Sequence, residues 1–101
     1  YASYRKVTTE TADPLELVVM LYRGAISFLN GAEKAMLARD IQESNRLLLR
    51  AQDVVAELMG TINLDAGEVA VNLMRLYDFI QQRLITANLT TIARARAHHV
   101  A

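Results

Sequence analysis

Asp13-Pro14-Leu15-Glu16-Leu17-Val18-Val19-Met20-Leu21-Tyr22 decides the fold, because it reads as a helix start followed by more apolar surface than one small core can absorb. An Asp side chain accepts from the free N–H groups of a first turn. Proline at the first helical position loses no hydrogen bond, and Glu16 stands in the capping-box position three residues after Asp13. A helix is therefore expected from about Pro14 to about Ala38. On a 3.6-residue period Leu17, Met20, Leu21, Gly24, Phe28 and Ala32 form one core stripe, whereas Leu15, Val18, Val19, Tyr22, Ile26 and Leu29 fall on flanking or opposite faces. A helix apolar nearly all round is either enclosed on every side or held ready for a partner. Gly24 and Gly31 cost ~1 kcal/mol each against alanine in a helix interior, and mark places where another helix comes close.

The rest of the composition narrows the class. The chain has 101 residues, enough for one core. Eleven Lys and Arg balance eleven Asp and Glu, so no basic field is available to hold phosphate backbones, and nucleic acid is not an expected partner. Without cysteine there are no disulfides, thiolate metal sites or cysteine nucleophiles, which fits a reducing cytosol. The longest unbroken apolar run is Leu17 to Tyr22, short of the roughly 20 residues that span a bilayer, so no membrane insertion and a soluble, cytoplasmic protein are expected. Apolar residues make up 52% of the chain, with only four glycines and one proline, so local propensity favours helix throughout.

Residues 1–12 read as a flexible N-terminal tail with two aromatics, Tyr1 and Tyr4, as either peptide hooks or local staples; residues 13–101 read as one bundle. Asp40 and Glu43 repeat the cap pattern and start a second helix. Its wet stripe is Glu43, Arg46, Arg50, Asp53 and Glu57; its core stripe is Ile41, Leu48, Ala51, Val55, Leu58 and Ile62, widened by Leu47, Val54 and Met59. Asn63 to Gly67 carries the loop formers. A third helix to about Asn88 is again over-apolar, with a narrow polar stripe of Asn72, Arg75, Asp78, Gln82 and Thr86. Thr90 or Thr91 is positioned to cap a short fourth helix through Val100. Short connections force antiparallel neighbours, so the predicted architecture is an all-α, antiparallel up-down four-helix bundle with a short C-terminal helix. So short a fourth wall leaves an apolar groove on the first and third helices.

Chemistry has no foothold in this pattern. His98 and His99 are adjacent, so on a helix they diverge by about 100° and make no metal pincer. No glycine-rich phosphate loop, nucleophile elbow or Glu-x-x-His pair is present. No enzyme activity, cofactor or metal is expected. Arg94, Arg96, His98 and His99 read as a solvated helix end rather than an RNA contact. Tyr22 and Tyr77 read equally as core rings with a hydroxyl at the rim or as partner contacts.

Several blocks in order resemble a known family. Tyr4 precedes Val7; Asp13-Pro14-Leu15-Glu16-Leu17 leads to Met20-Leu21-Tyr22 and Gly24-Ala25. Leu48, Ala51-Gln52 and Leu58 follow, then Gly67-Glu68, Asn72-Leu73, Leu76-Tyr77-Asp78 and Ala87-Asn88-Leu89. Together these resemble the FliS family, flagellin-specific export chaperones of bacterial flagella. Arg23 stands where the family usually carries an acidic residue, Asp13 where it often has a serine cap, and Thr90 to Ala101 lacks the family's frequent tryptophan.

The resemblance implies a cytoplasmic bundle that binds the disordered C-terminal region of flagellin as helices, prevents premature polymerisation and delivers the subunit to the export apparatus. The flagellar export gate is a further candidate partner. Tyr4, Val7, Leu17, Val18, Leu21, Tyr22, Leu73, Leu76, Tyr77, Ile80 and Leu84 are the expected groove residues, with Asn88 as a polar anchor near a helix end. The tail is expected to cover the groove through Tyr4 and Val7 when no client is bound. The alternatives are a homo-oligomeric structural bundle, dimeric when client-free, a metal-dependent bundle enzyme and an RNA-binding adaptor. They would show themselves respectively as a peptide-free dimer, bound metal and strongly salt-dependent binding.

Overall fold

The computed structural model describes residues 13–100, with side-chain surroundings up to Ala97. The expected tail, with Tyr4 and Val7, and the side chains of His98 and His99 lie outside the described residues. The described residues form three α-helices: α1 Pro14–Leu37, α2 Ile41–Gly60 and α3 Glu68–Val100, with a 3₁₀ turn at Leu64–Ala66 between the last two. There is no strand among the described residues, so the chain is all-α as expected.

Both predicted caps form. Asp13 Oδ1 accepts from the Leu15 N–H at 2.9 Å, with Pro14 opening α1. Asp40 Oδ1 accepts from the Glu43 N–H at 3.2 Å and starts α2. Between them α1 closes in a Schellman motif. The Arg39 N–H donates to the Met36 carbonyl at 3.0 Å and the Asp40 N–H to the Ala35 carbonyl at 2.8 Å. This motif places Arg39 at φ 58°, the left-handed region that usually takes glycine. An L-residue pays about 1–2 kcal/mol there. The second connection is ordered by Asn63 Oδ1, which accepts from the Asp65 N–H at 3.0 Å, and by Gly67 at φ 107°.

The expected fourth helix is a correction. No break occurs near Asn88 to Thr91, and α3 runs unbroken for 33 residues. Leu89-Thr90-Thr91-Ile92 contains neither glycine nor proline to stop it. Thr91 Oγ1 donates back to the Ala87 carbonyl at 2.8 Å inside the helix instead of capping a new one.

The middle helix is α2. From α1 it receives Leu21, Gly24, Ala25, Ala32 and Ala35, all buried. The approach is close: a Cβ placed on Gly31 would lie 2.9 Å from Leu47 Cδ1. Leu21 and Ala25 of α1, Val54, Val55 and Leu58 of α2, and Tyr77 of α3 form the core. Leu17, Val18, Phe28, Met59, Ile62, Leu73, Ile80 and Leu84 pack around it. No Cα of α1 comes within 8 Å of one in α3. The three helices therefore make an open layer of 52 × 29 × 15 Å. Its radius of gyration is 15.6 Å, against about 12–13 Å for a compact domain of this size.

By length and composition alone α1 is apolar enough to cross a membrane, unlike the shorter run on which the sequence reading relied. The core helix of a bundle passes the same test, and one whole stripe of α1 packs on α2.

Candidate partner-binding groove

The gap between α1 and α3 is the candidate site. At 100° per residue, Leu15, Val19, Tyr22 and Ile26 form a second stripe on α1, turned away from the stripe that packs on α2. Tyr22 fixes which way that stripe looks, because its hydroxyl hydrogen-bonds the hydroxyl of Tyr77 on α3. The two rings stand 6.2 Å apart, tilted by 56°. Across the gap, Val69, Leu73, Leu76 and Ile80 share the matching side of α3 by the same period. The groove thus has a tyrosine pair as its bridge and apolar walls.

Exposure confirms that these walls lack cover among the described residues. Leu15 is 69% exposed, Val69 79% and Leu76 51%, with Val19, Tyr22 and Ile26 also open. Where the groove meets the end of α2 it deepens into a cavity of about 430 Å³, lined by Val18, Thr61, Ile62, Asn63, Ala66, Val69, Ala70, Leu73 and Tyr77. The lining carries no charged side chain. Burial, and secondarily the hydrogen bond shared with Tyr22, pushes the Tyr77 phenol well above its ordinary value, so it stays neutral. The charges of α2 lie elsewhere, in exposed pairs Glu43–Arg46 at 2.5 Å and Arg50–Asp53 at 3.4 Å. Arg46 lowers the Glu43 pKa through its hydrogen bond. Such solvated pairs add little to stability.

The expected groove residues divide three ways. Tyr22 and Leu76 are open on the walls. Leu17, Val18, Leu73, Ile80 and Leu84 are half-buried against the core, with Val18 and Leu73 also lining the cavity. Leu21 and Tyr77 are each 3% exposed and belong to the core, although Tyr77 shows one edge to the cavity.

Asn88 departs from its expected role as an anchor near a helix end. It sits mid-helix, 7% exposed, and its Nδ2 donates to Asn45 Oδ1 at 2.8 Å, on the α2–α3 seam rather than in the groove. Leu15, Val19, Ile26 and Val69 were not among the expected contacts and are among the most open wall residues. Their signal lay in the surplus stripes of α1 and α3.

That α2–α3 seam is polar. Gln81 Nε2 donates to the Gln52 carbonyl at 2.9 Å, while Gln81 Oε1 and Asn88 Oδ1 are buried with no hydrogen-bond partner among the described residues. No group of three or more His, Asp or Glu among the described residues lies close enough to hold a metal ion. What the groove can do chemically is bind: it offers an apolar trough with hydroxyls at its bridge, suited to an amphipathic helix.

Comparison with known proteins gives this geometry a context. A family model described as flagellar protein FliS matches residues 1–98. The chain is 34% identical over 89 residues to the flagellar secretion chaperone FliS of Bacillus subtilis, covering 88% of this chain and 66% of that protein. It is 33% identical over 91 residues to the Vibrio cholerae protein of the same name, covering 85% and 67%. It is 32% identical over 99 residues to the Salmonella typhimurium protein of the same name, covering 92% and 73%. The chain thus spans about two thirds of the length of these curated relatives.

Proposed function

The chain belongs to the FliS family of flagellar proteins, and on that premise we propose that it is a cytoplasmic export chaperone whose α1–α3 groove takes up the C-terminal region of flagellin. The observation that carries this reading is the pair of exposed apolar walls, Leu15–Val19–Tyr22–Ile26 and Val69–Leu76, held apart around the Tyr22–Tyr77 bridge. A disordered client segment that folds into this trough as an amphipathic helix gains apolar burial against its ordering entropy. In doing so it supplies a fourth wall to the open layer, the arrangement of a four-helix bundle. A client held in this way is kept from premature polymerisation and handed on to the export gate. Binding, not catalysis, is the activity.

The test is calorimetric titration of the folded chain with a flagellin C-terminal peptide, alongside circular dichroism of the mixture. One-to-one binding with a negative heat-capacity change and added helicity is expected. Failure of a folded sample to bind would favour the alternative, a homo-oligomeric bundle that buries the same walls between copies. The tail is proposed to compete for the groove through Tyr4 and Val7. Deleting residues 1–12 should then tighten peptide binding, and unchanged affinity would remove the tail from the mechanism.

A further inference from the structure

The other end of the molecule carries a second concave surface. The Asn45–Asn88 and Gln52–Gln81 contacts step along α2 and α3 in opposite directions at equal spacing. Ile41, the first residue of α2, therefore stands level with Thr91 and Ile92, and Ala93–Val100 runs on past the start of α2 by about 12 Å. Beneath this overhang lies an open cleft of about 940 Å³. Met36, Ile41, Ala95 and Ala97 form its apolar lining, and Arg39 and Arg94 supply its charge. No Asp or Glu among the described residues lines it. Among the described residues neither guanidinium has a carboxylate partner, in contrast to the Glu43–Arg46 and Arg50–Asp53 pairs of α2.

We infer that this cleft is a second docking surface, distinct from the groove, for an acidic amphipathic helix of a partner protein. Charge complementarity selects the occupant: two cations without a carboxylate among the described residues, beside an apolar lining, fit a helix with an apolar stripe edged by Asp or Glu. The backbone points the same way. Arg39 holds the left-handed position of the Schellman motif, where glycine would be unstrained, and so keeps a guanidinium at the cleft. A second copy of the chain fits poorly, since a two-fold contact through this surface sets Arg39 and Arg94 against their own counterparts. Nucleic acid fits poorly as well, because among the described residues the lining has no aromatic ring for bases to stack on. The overhanging turns of α3 have no α2 alongside, and the docked helix takes that place.

The experiment is an amide NMR titration of the isotope-labelled full chain with a designed helical peptide carrying a leucine face edged by glutamates, and with its Glu→Gln twin. Shifts at Ile41, Ala95 and Ala97 that weaken with added salt are expected, with weaker binding of the twin. Arg39→Gly and Arg94→Gln should each lower affinity by about two- to fivefold, the scale of partly solvated ion pairs. Arg39→Gly should do so while melting no earlier than the parent. Shifts confined to Val69, Leu73 and Leu76, equal binding of the twin, or full affinity in Arg39→Gly would overturn the inference. So would concentration-dependent shifts at the same cleft residues without peptide, which assign the surface to a second copy, or displacement of the peptide by oligouridylate. Since the flagellin peptide is read at Val69, Leu73 and Leu76, failure at one end leaves the reading of the other intact.

Discussion

The two faces of α2 meet their neighbours in opposite ways. Toward α1 the contact is close and dry, built on Leu21, Gly24, Ala25, Ala32 and Ala35, with Gly31 letting Leu47 come in. Toward α3 the apolar contacts around Tyr77 and Leu84 are interrupted by a line of amides, with the buried Gln81 Oε1 and Asn88 Oδ1 left unpaired among the described residues. A made hydrogen bond adds about 0.5–1.5 kcal/mol, whereas an unmade buried one costs about 1–3 kcal/mol. On those magnitudes the made bonds do not offset the unmade ones, so the polar groups of the α2–α3 seam add no net stability. The difference teaches that α1 and α2 form a firm hairpin, and that α3 is the helix free to adjust. Since α3 carries one wall of the groove, the weaker joint sets the groove's width.

The strongest challenge to this contrast is Leu21→Ala, which opens a cavity in the firm joint. A loss of about 2–5 kcal/mol in urea unfolding is expected, and a loss under 1 kcal/mol would mean that the hairpin is not where stability resides. Next in size is Gly31→Leu, where even the Cβ meets Leu47. Overpacking should cost about 1–3 kcal/mol, and a neutral result would show that the Leu47 side chain swings aside without disturbing the joint. Tyr77→Phe removes the bridge between α1 and α3 and should cost about 1 kcal/mol.

The same variant tests a pH dependence. Because the folded-state pKa of Tyr77 is raised, stability is at its full value below the ordinary 10.0 and falls as pH climbs above it, where the unfolded chain ionises first. Melting curves from pH 9 upward should show that fall in the parent and a smaller one in Tyr77→Phe. Smallest of all is the joint change Asn45→Leu with Asn88→Leu, expected to leave stability within about 1 kcal/mol of the parent in either direction. A loss above 2 kcal/mol would make the polar seam the firmer joint after all.

Much of this was legible in the chain. Asp13 and Asp40 cap as read because capping is local chemistry, and the wet stripe of α2 pairs its charges at i, i+3 as the spacing foretold. The surplus stripe of α1 is the groove wall. What was not legible depended on partners far along the chain. Asn88 reads as an anchor near a helix end until Asn45, 43 residues earlier, is placed opposite it. Tyr77 reads equally as core or contact until Tyr22 and Leu58 enclose it. Thr90 and Thr91 are ambiguous in themselves, since threonine either caps a helix or bonds back within one. Arg39 hid its left-handed backbone because glycine is the residue that announces one.

The junction at Arg39 and Asp40 also has a consequence in time. Asp40 donates its N–H to close α1 and lends its side chain to open α2, so the reversal between them takes hardly any extra chain. Closing so short a loop costs little entropy, and antiparallel helices joined this way make mostly local contacts, a topology that folds on the order of microseconds to milliseconds. The α1–α2 hairpin is therefore expected to form well before a ribosome adding roughly 5–20 residues per second completes α3, so that one wall of the groove stands ready while the other is still being made.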